Sequence, residues 1–171
     1  DRIGLSYGMI KTAADFEKYD RYIIPGVGHA GSAMQKLKDS GLVLSIIKLK
    51  KPVLGICVGM QLLTKHSEEG NSLLTDIIPL KTKLFSEILK VKVPHTGWNK
   101  VIQNNGTPLF SKIPLGSHFY FVHSYFIEFN SNFTIALAEY GIKFSAVIQK
   151  DNFYGVQFHP EKSGLAGEQL L

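Results

Sequence analysis

Val53-Leu54-Gly55-Ile56-Cys57-Val58-Gly59-Met60-Gln61-Leu62-Leu63 is the stretch on which the fold turns. Its first part, Val53–Ile56, is a short apolar run behind Pro52 and predicts a buried strand. Its last part, residues 58–63, predicts the start of a helix. Between them stands Cys57, the only cysteine in the chain, with Gly55 two residues before it and Gly59 two residues after. This is the G-x-S-x-G spacing of a nucleophile elbow, with cysteine in place of serine. The spacing has a steric cause. A side chain on a sharp strand-to-helix turn sits on strained backbone, and its neighbours two residues away collide unless they lack a Cβ. The turn also predicts a sulfur at a helix N-terminus, where the dipole favours thiolate over thiol. A lone cysteine is more commonly a small buried apolar residue, so the elbow needs support from elsewhere in the chain.

Working outward, 171 residues with 44% hydrophobic and 19% charged residues describe one globular domain, residues 1–171, long enough for a real core. No apolar run reaches membrane-spanning length and no basic-then-apolar leader opens the chain, so neither a membrane nor export is expected. One cysteine forms no intrachain disulfide, which fits a reducing, cytoplasmic setting. The net charge is +5. Lys48, Lys50, Lys51, Lys81, Lys83, Lys90 and Lys92 are scattered beside apolar strand-like residues and read as solvated faces, not as a nucleic-acid stripe.

Upstream of the elbow, residues 3–11 predict a strand, 13–19 one or two helical turns, and 21–24 a short apolar strand. That strand ends in Pro25-Gly26-Val27-Gly28, a loop whose backbone N–H groups have room to approach a ligand, although the same residues also make a plain strand-to-helix turn. Residues 32–38 and 41–48 predict helices. Downstream, residues 67–72 read as a polar loop and 81–93 as strands with turns. Pro94-His95-Thr96-Gly97-Trp98-Asn99 reads as a loop carrying the only tryptophan, a core plug or an interface anchor. Asn104-Asn105-Gly106 reads as a turn with a hairpin around it. Residues 117–126, 133–138, 144–149 and 153–158 are strand-like and close together, which predicts antiparallel pairing in the second half.

The last of these strands delivers His159-Pro160-Glu161. A histidine at a strand end is placed to act as a base. A carboxylate two residues on accepts the other ring N–H and sets the tautomer, and Pro160 stiffens the link. An isolated His-x-Glu is more commonly a surface histidine beside a chance acid.

Taken together and in order, Pro25-Gly26-Val27-Gly28, Gly55-Ile56-Cys57-Val58-Gly59-Met60-Gln61, Pro94-His95-Thr96-Gly97-Trp98-Asn99, Phe121-Val122-His123-Ser124-Tyr125 and Gln157-Phe158-His159-Pro160-Glu161-Lys162-Ser163-Gly164 resemble the class I (triad) glutamine amidotransferases. Within them, they resemble most the glutaminase subunits of imidazole glycerol phosphate synthase. The resemblance covers nearly the whole chain. It implies a three-layer α/β/α, flavodoxin-like domain whose mixed sheet has antiparallel strands in its second half. The family's opening strand, ending in Asp-Tyr-Gly-x-Gly-Asn, and its first helix are expected to fall outside residues 1–171. Residues 3–11 are then expected to align with the family's second strand. Val58 and Thr96 stand where leucine and methionine are usual.

The resemblance implies an enzyme without cofactor or metal that hydrolyses L-glutamine to glutamate and ammonia. Cys57 would be the nucleophile, His159 the base and Glu161 its orienting acid, with a thioester intermediate. The backbone of Val58 and of Val27-Gly28 would form the oxyanion hole, the loop after a peptide reorientation. Gly26, Gly28, Gln61, Glu69, Ser124 and Tyr125 would line the glutamine pocket, with Glu69 on the substrate ammonium. Pro94, Gly97, Trp98 and Asn99 would face a (β/α)₈-barrel cyclase subunit, the heterodimer partner that receives ammonia in histidine biosynthesis. Three other functions stay open on sequence alone. They are a paralogous subunit supplying ammonia for sugar amination in surface-polysaccharide pathways, a stand-alone γ-glutamyl hydrolase, and a non-catalytic binding subunit.

Overall fold

The computed structural model describes residues 4, 6–85, 91–103 and 107–171. Three short apolar segments, β1 (Tyr22–Ile24), β2 (Val53–Ile56) and β12 (Phe153–Val156), run parallel side by side. Two longer antiparallel strands, β10 (Thr134–Tyr140) and β11 (Ile142–Lys150), extend the sheet, and β7 (Ile102–Gln103) ends it, in the order β1-β2-β12-β11-β10-β7. The parallel strands are short apolar runs because both sheet faces are covered. Val53 and Phe153 feed one apolar cluster, while Ile56 and Val156, three residues on in each strand, feed the other. A period-2 strand requires that division. Helix α1 (Ala30–Asp39) contributes Ala30 and Met34 to one cluster, and α2 (Val43–Ile47) contributes Ile46 to the other. The result is the three-layer mixed-sheet α/β architecture expected from the sequence, antiparallel in its second half.

Helix α3 (Val58–Leu62) follows β2 and is buried on every residue. Beyond it, β3 (His66–Ser67), β4 (Ser72–Leu73), β5 (Lys81–Leu84) and β9 (Tyr125–Ile127) form a small sheet in the order β4-β3-β5-β9. A two-stranded antiparallel ribbon pairs β6 (His95–Lys100) with β8 (His118–His123). Helix α4 (Gly164–Leu170) closes the described chain.

Two expectations are corrected. Residues 6–11 form no strand. Tyr7 and Met9 are exposed, and the Lys11 and Thr12 N–H groups donate to the Asp15 carboxylate at 3.0 and 2.8 Å, closing the 3₁₀ turn Ala13–Lys18. Those N–H groups are therefore not available to a sheet ladder. The strand over residues 3–11 that this alignment expected is not formed at 6–11, and residues 1–3 and 5 lie outside the described residues. The segment around Trp98, read as a loop, is strand β6. Pairing against the aromatic strand β8 overrides its proline and glycine signals, as tertiary context does for β propensity generally. The hairpin expected at 104–106 lies outside the described residues, but Ile102 and Gln103 pair with β10, not with β8.

Candidate active site

Cys57 sits at φ 52°, ψ −108°, a region L-residues avoid. Three glycines interlock around it to permit this. A Cβ on Gly59 would lie 1.8 Å from the Ile24 carbonyl oxygen, one on Gly55 2.5 Å from the Gly59 carbonyl oxygen, and one on Gly26 2.4 Å from the Gly59 nitrogen. The elbow and the 25–28 loop are thus packed backbone to backbone, which sets Gly26 against Val58. Gly28 adopts φ 88°, and Val27 is exposed. The Cys57 N–H donates to the Val156 carbonyl at 2.8 Å, anchoring the elbow to β12.

Register does the rest. Gly55 pairs with Gly155 and Ile56 with Val156, so Cys57 stands beside Gln157, and His159 lies two residues further along the same sheet edge. Strand β8 spans both. The Cys57 thiol donates to the Val122 carbonyl at 3.9 Å, and the His159 N–H donates to the Tyr120 carbonyl at 2.8 Å. Those acceptors are two residues apart on one strand, about 7 Å.

His159 is buried, and its Nδ1 lies 2.6 Å from Glu161 Oε1. A carboxylate beside Nδ1 holds the proton there and leaves Nε2 free to accept one. Glu161 itself is half exposed, on the 3₁₀ turn Pro160–Lys162. Ser163 secures the turn by donating from Oγ to the His159 carbonyl at 2.6 Å and accepting the Tyr120 N–H at 3.0 Å.

The sulfur is not the low-pKa thiolate that its helix-end position predicts. Burial pushes the Cys57 thiol up to about 11; the Val58 N–H and the Gln157 amide pull it down, and the Glu161 and Glu69 charges push it further up. Helix α3 has only five residues, a short dipole to set against that desolvation. At rest Cys57 carries a thiol, which needs a base to become a thiolate.

The other predicted pocket residues cluster here with differing roles. Gln61 is buried; its Nε2 donates to Gln157 Oε1 at 3.4 Å, and its own Oε1 has no hydrogen-bond partner among the described residues. Glu69 accepts the Ala30 N–H at 2.5 Å, so it joins His29 in capping α1. Its charge also acts on both Cys57 and Tyr125, whose phenol burial pushes upward. Ser124 lies between β8 and β9, its carbonyl accepting the Phe85 N–H at 3.0 Å. Among the described residues no cluster of three or more His, Cys, Asp or Glu side chains suits a metal ion.

On β6 the predicted interface residues split between faces. Trp98 is 57% exposed, edge-on to Tyr120 at 6.1 Å. Asn99 points the other way and donates to the Glu139 carbonyl at 2.9 Å and to His95. Pro94 is exposed, and Gly97 takes φ 132° inside the strand.

Sequence reasoning missed Gln157, whose Nε2 donates to Cys57 Sγ at 3.7 Å. Its signal was present: Gln157 and His159 are two apart on a strand and share a face. His123 and His95 were also missed, because only the β6–β8 register brings them together.

The profile of a family described as glutamine amidotransferase class-I matches residues 8–171. The chain is 48% identical over 171 residues to the imidazole glycerol phosphate synthase subunit HisH of Pasteurella multocida, covering all of this chain and 85% of that protein. It is 47% identical over 157 residues to the subunit of the same name from Buchnera aphidicola subsp. Schizaphis graminum, covering 90% of this chain and 78% of that one. Among solved structures, a glutamine amidotransferase superposes with a TM-score of 0.73 at 13% identity, covering 99% of this chain and 84% of the other. The glutaminase domain of Trypanosoma brucei CTPS superposes with a TM-score of 0.58 at 16% identity, covering 92% and 71%.

Proposed function

The chain belongs to the class I glutamine amidotransferase family, and on that premise we propose that it is the glutaminase subunit of imidazole glycerol phosphate synthase, a one-domain cytoplasmic protein of histidine biosynthesis. That it is a glutamine-hydrolysing enzyme follows from the family. The finer reading is supported by relatives of that name at 48% and 47% identity, together with one observation: a strained, glycine-locked Cys57 in register beside the strand that presents His159 and Glu161.

In the proposed reaction, the Cys57 sulfur attacks the side-chain amide carbon of glutamine as His159 Nε2 takes the thiol proton. Because the thiol rests protonated near pH 7, this transfer accompanies attack and is general-base catalysis. The tetrahedral oxyanion is held by the Val58 N–H and by an N–H of the Val27-Gly28 loop, which Gly26 packs against Val58. His159 then gives that proton to the amide nitrogen as the C–N bond breaks, so that neutral ammonia leaves and a γ-glutamyl thioester remains. A water deprotonated by His159 releases glutamate and restores the thiol. Gln61, Glu69, Ser124 and Tyr125, with Gly26 and Gly28, form the glutamine pocket, with Glu69 on the substrate ammonium. No cofactor enters this scheme.

Ammonia released into water is protonated and lost as a nucleophile, so the reading includes a (β/α)₈-barrel cyclase docked on the exposed face of β6. Trp98 beside Tyr120, with Pro94 and Gly97, is the anchor. The cyclase uses the ammonia to form imidazole glycerol phosphate and AICAR. The test is glutamate release from glutamine by the purified protein, alone and with the cyclase and its ligand, beside Cys57→Ala. Cyclase-stimulated release that disappears in the variant is expected. Release that survives Cys57→Ala removes the nucleophile, and release indifferent to the cyclase removes the partnership.

A further inference from the structure

A line of hydrogen bonds leaves the pocket and ends on β6. His123 Nδ1 lies 2.6 Å from the Tyr125 carbonyl oxygen, His123 Nε2 lies 2.9 Å from His95 Nδ1, and His95 Nε2 lies 3.2 Å from Asn99 Nδ2. One end fixes the direction of every link. A carbonyl oxygen only accepts, so His123 carries its proton on Nδ1 and donates there. Neutral His123 therefore accepts at Nε2, so His95 donates from Nδ1 and accepts at Nε2, and Asn99 must present its NH₂. The same NH₂ donates to the Glu139 carbonyl at 2.9 Å, which locks the amide orientation independently.

The rings have no freedom to turn out of this line. His95 stacks on Tyr140 at 4.0 Å and on Phe121 at 5.0 Å. Phe85 lies 5.4 Å from the His123 ring. Both histidines are buried, and burial pushes His95 down to about 4 and His123 down to about 3, so both stay neutral at ordinary pH. His123 is close enough to feel the charge of His159. It is nonetheless not poised to exchange protons with it, because one ring nitrogen faces a carbonyl and the other faces His95.

We propose that Asn99, His95 and His123 are positioning residues for glutamine binding: a neutral relay of fixed polarity that holds the Tyr125 carbonyl, and with it the Ser124–Tyr125 turn of the pocket, in place. This rests on the glutaminase reading above. It also assigns Asn99 inward, to the pocket, while Trp98, its neighbour on the opposite face of β6, is left to the partner.

The experiment measures KM and kcat for glutamine in the full-length protein with its cyclase, for the parent, His123→Leu, His95→Leu, the double variant and Asn99→Leu. A relay acts as one unit. The expectation is a KM raised about 10-fold in each histidine variant and about 3-fold in Asn99→Leu, with kcat within about 3-fold of the parent. The double variant should be no worse than the worse single one. His95→Asn, which returns a donor toward His123, should recover part of the KM lost in His95→Leu; Asn99→Leu, at a half-buried position, carries the test if a histidine variant does not fold. Unchanged KM, a fall in kcat as large as the rise in KM, or multiplying effects in the double variant would overturn the relay. A parent that hydrolyses no glutamine overturns the glutaminase reading and the relay with it, whereas an active parent with unmoved variants overturns the relay alone.

Discussion

The parallel and antiparallel halves of this molecule treat polar groups in opposite ways. At the elbow between β2 and α3, backbone is strained, three glycines are pressed together, burial holds the Cys57 thiol neutral, and the Gln61 carbonyl oxygen has no partner among the described residues. On the ribbon of β6 and β8, every ring nitrogen of His95 and His123 is engaged and the rings are packed among aromatics. In the proposed reading the chemistry sits in the half with unmet demands, and the saturated half holds the pocket wall still. Strain concentrated at one turn persists only when its surroundings over-determine it, and the two parallel neighbours of β2 supply that constraint.

The sharpest way to break this contrast is Cys57→Ala. Glutamine hydrolysis should fall about 10⁴-fold or more while the fold remains; activity assay and melting temperature taken together decide it, and residual turnover near the parent's would move the chemistry elsewhere. Next in size is Gly59→Ala. Its methyl would meet the Ile24 carbonyl, backbone that cannot give way, so a loss of about 3 kcal/mol or more is expected in denaturant unfolding. A near-neutral result would mean that the elbow is loose. Trp98→Ala should leave unfolding unchanged, because the ring is exposed, yet weaken cyclase binding about 30-fold, roughly 2 kcal/mol. Calorimetric titration with the cyclase measures this, and unchanged affinity would remove the anchor.

The saturated half makes its own prediction in acid. Both histidines have native pKa values below the unfolded value near 6.5, so the unfolded chain takes up protons first as pH falls. Their contribution to stability is full above about pH 6.5 and shrinks as pH drops toward 4 and then 3, by up to about 1.4 kcal/mol per pH unit for each. Between pH 7 and 5 the parent should therefore lose more melting temperature than the variant lacking both histidines; parallel slopes would show that the pair does not titrate on unfolding. The smallest effect sharpens the view of the elbow. Glycine adopts the Cys57 backbone without penalty, so Cys57→Gly should be about 1 kcal/mol more stable than Cys57→Ala in denaturant unfolding.

What the sequence by itself determined was local chemistry. The Gly-x-Cys-x-Gly spacing foretold the strand, the turn and the helix, because the steric demand of an elbow lies within five residues. His159-Pro160-Glu161 foretold its own hydrogen bond, because two residues at a strand end keep partners within reach. The short strands of the second half announced antiparallel pairing through their spacing. Only the tertiary structure decided the rest. It made a strand of residues read as a loop around Trp98, because β8 offered an aromatic partner that no local signal near Trp98 encodes. It left residues 6–11 without a ladder and turned the Lys11 and Thr12 N–H groups to the Asp15 carboxylate instead. It turned a predicted thiolate into a thiol, because burial is a sum over the whole chain. And it joined His95 to His123 across a strand register, where a shift of one residue would have turned the two rings to opposite faces.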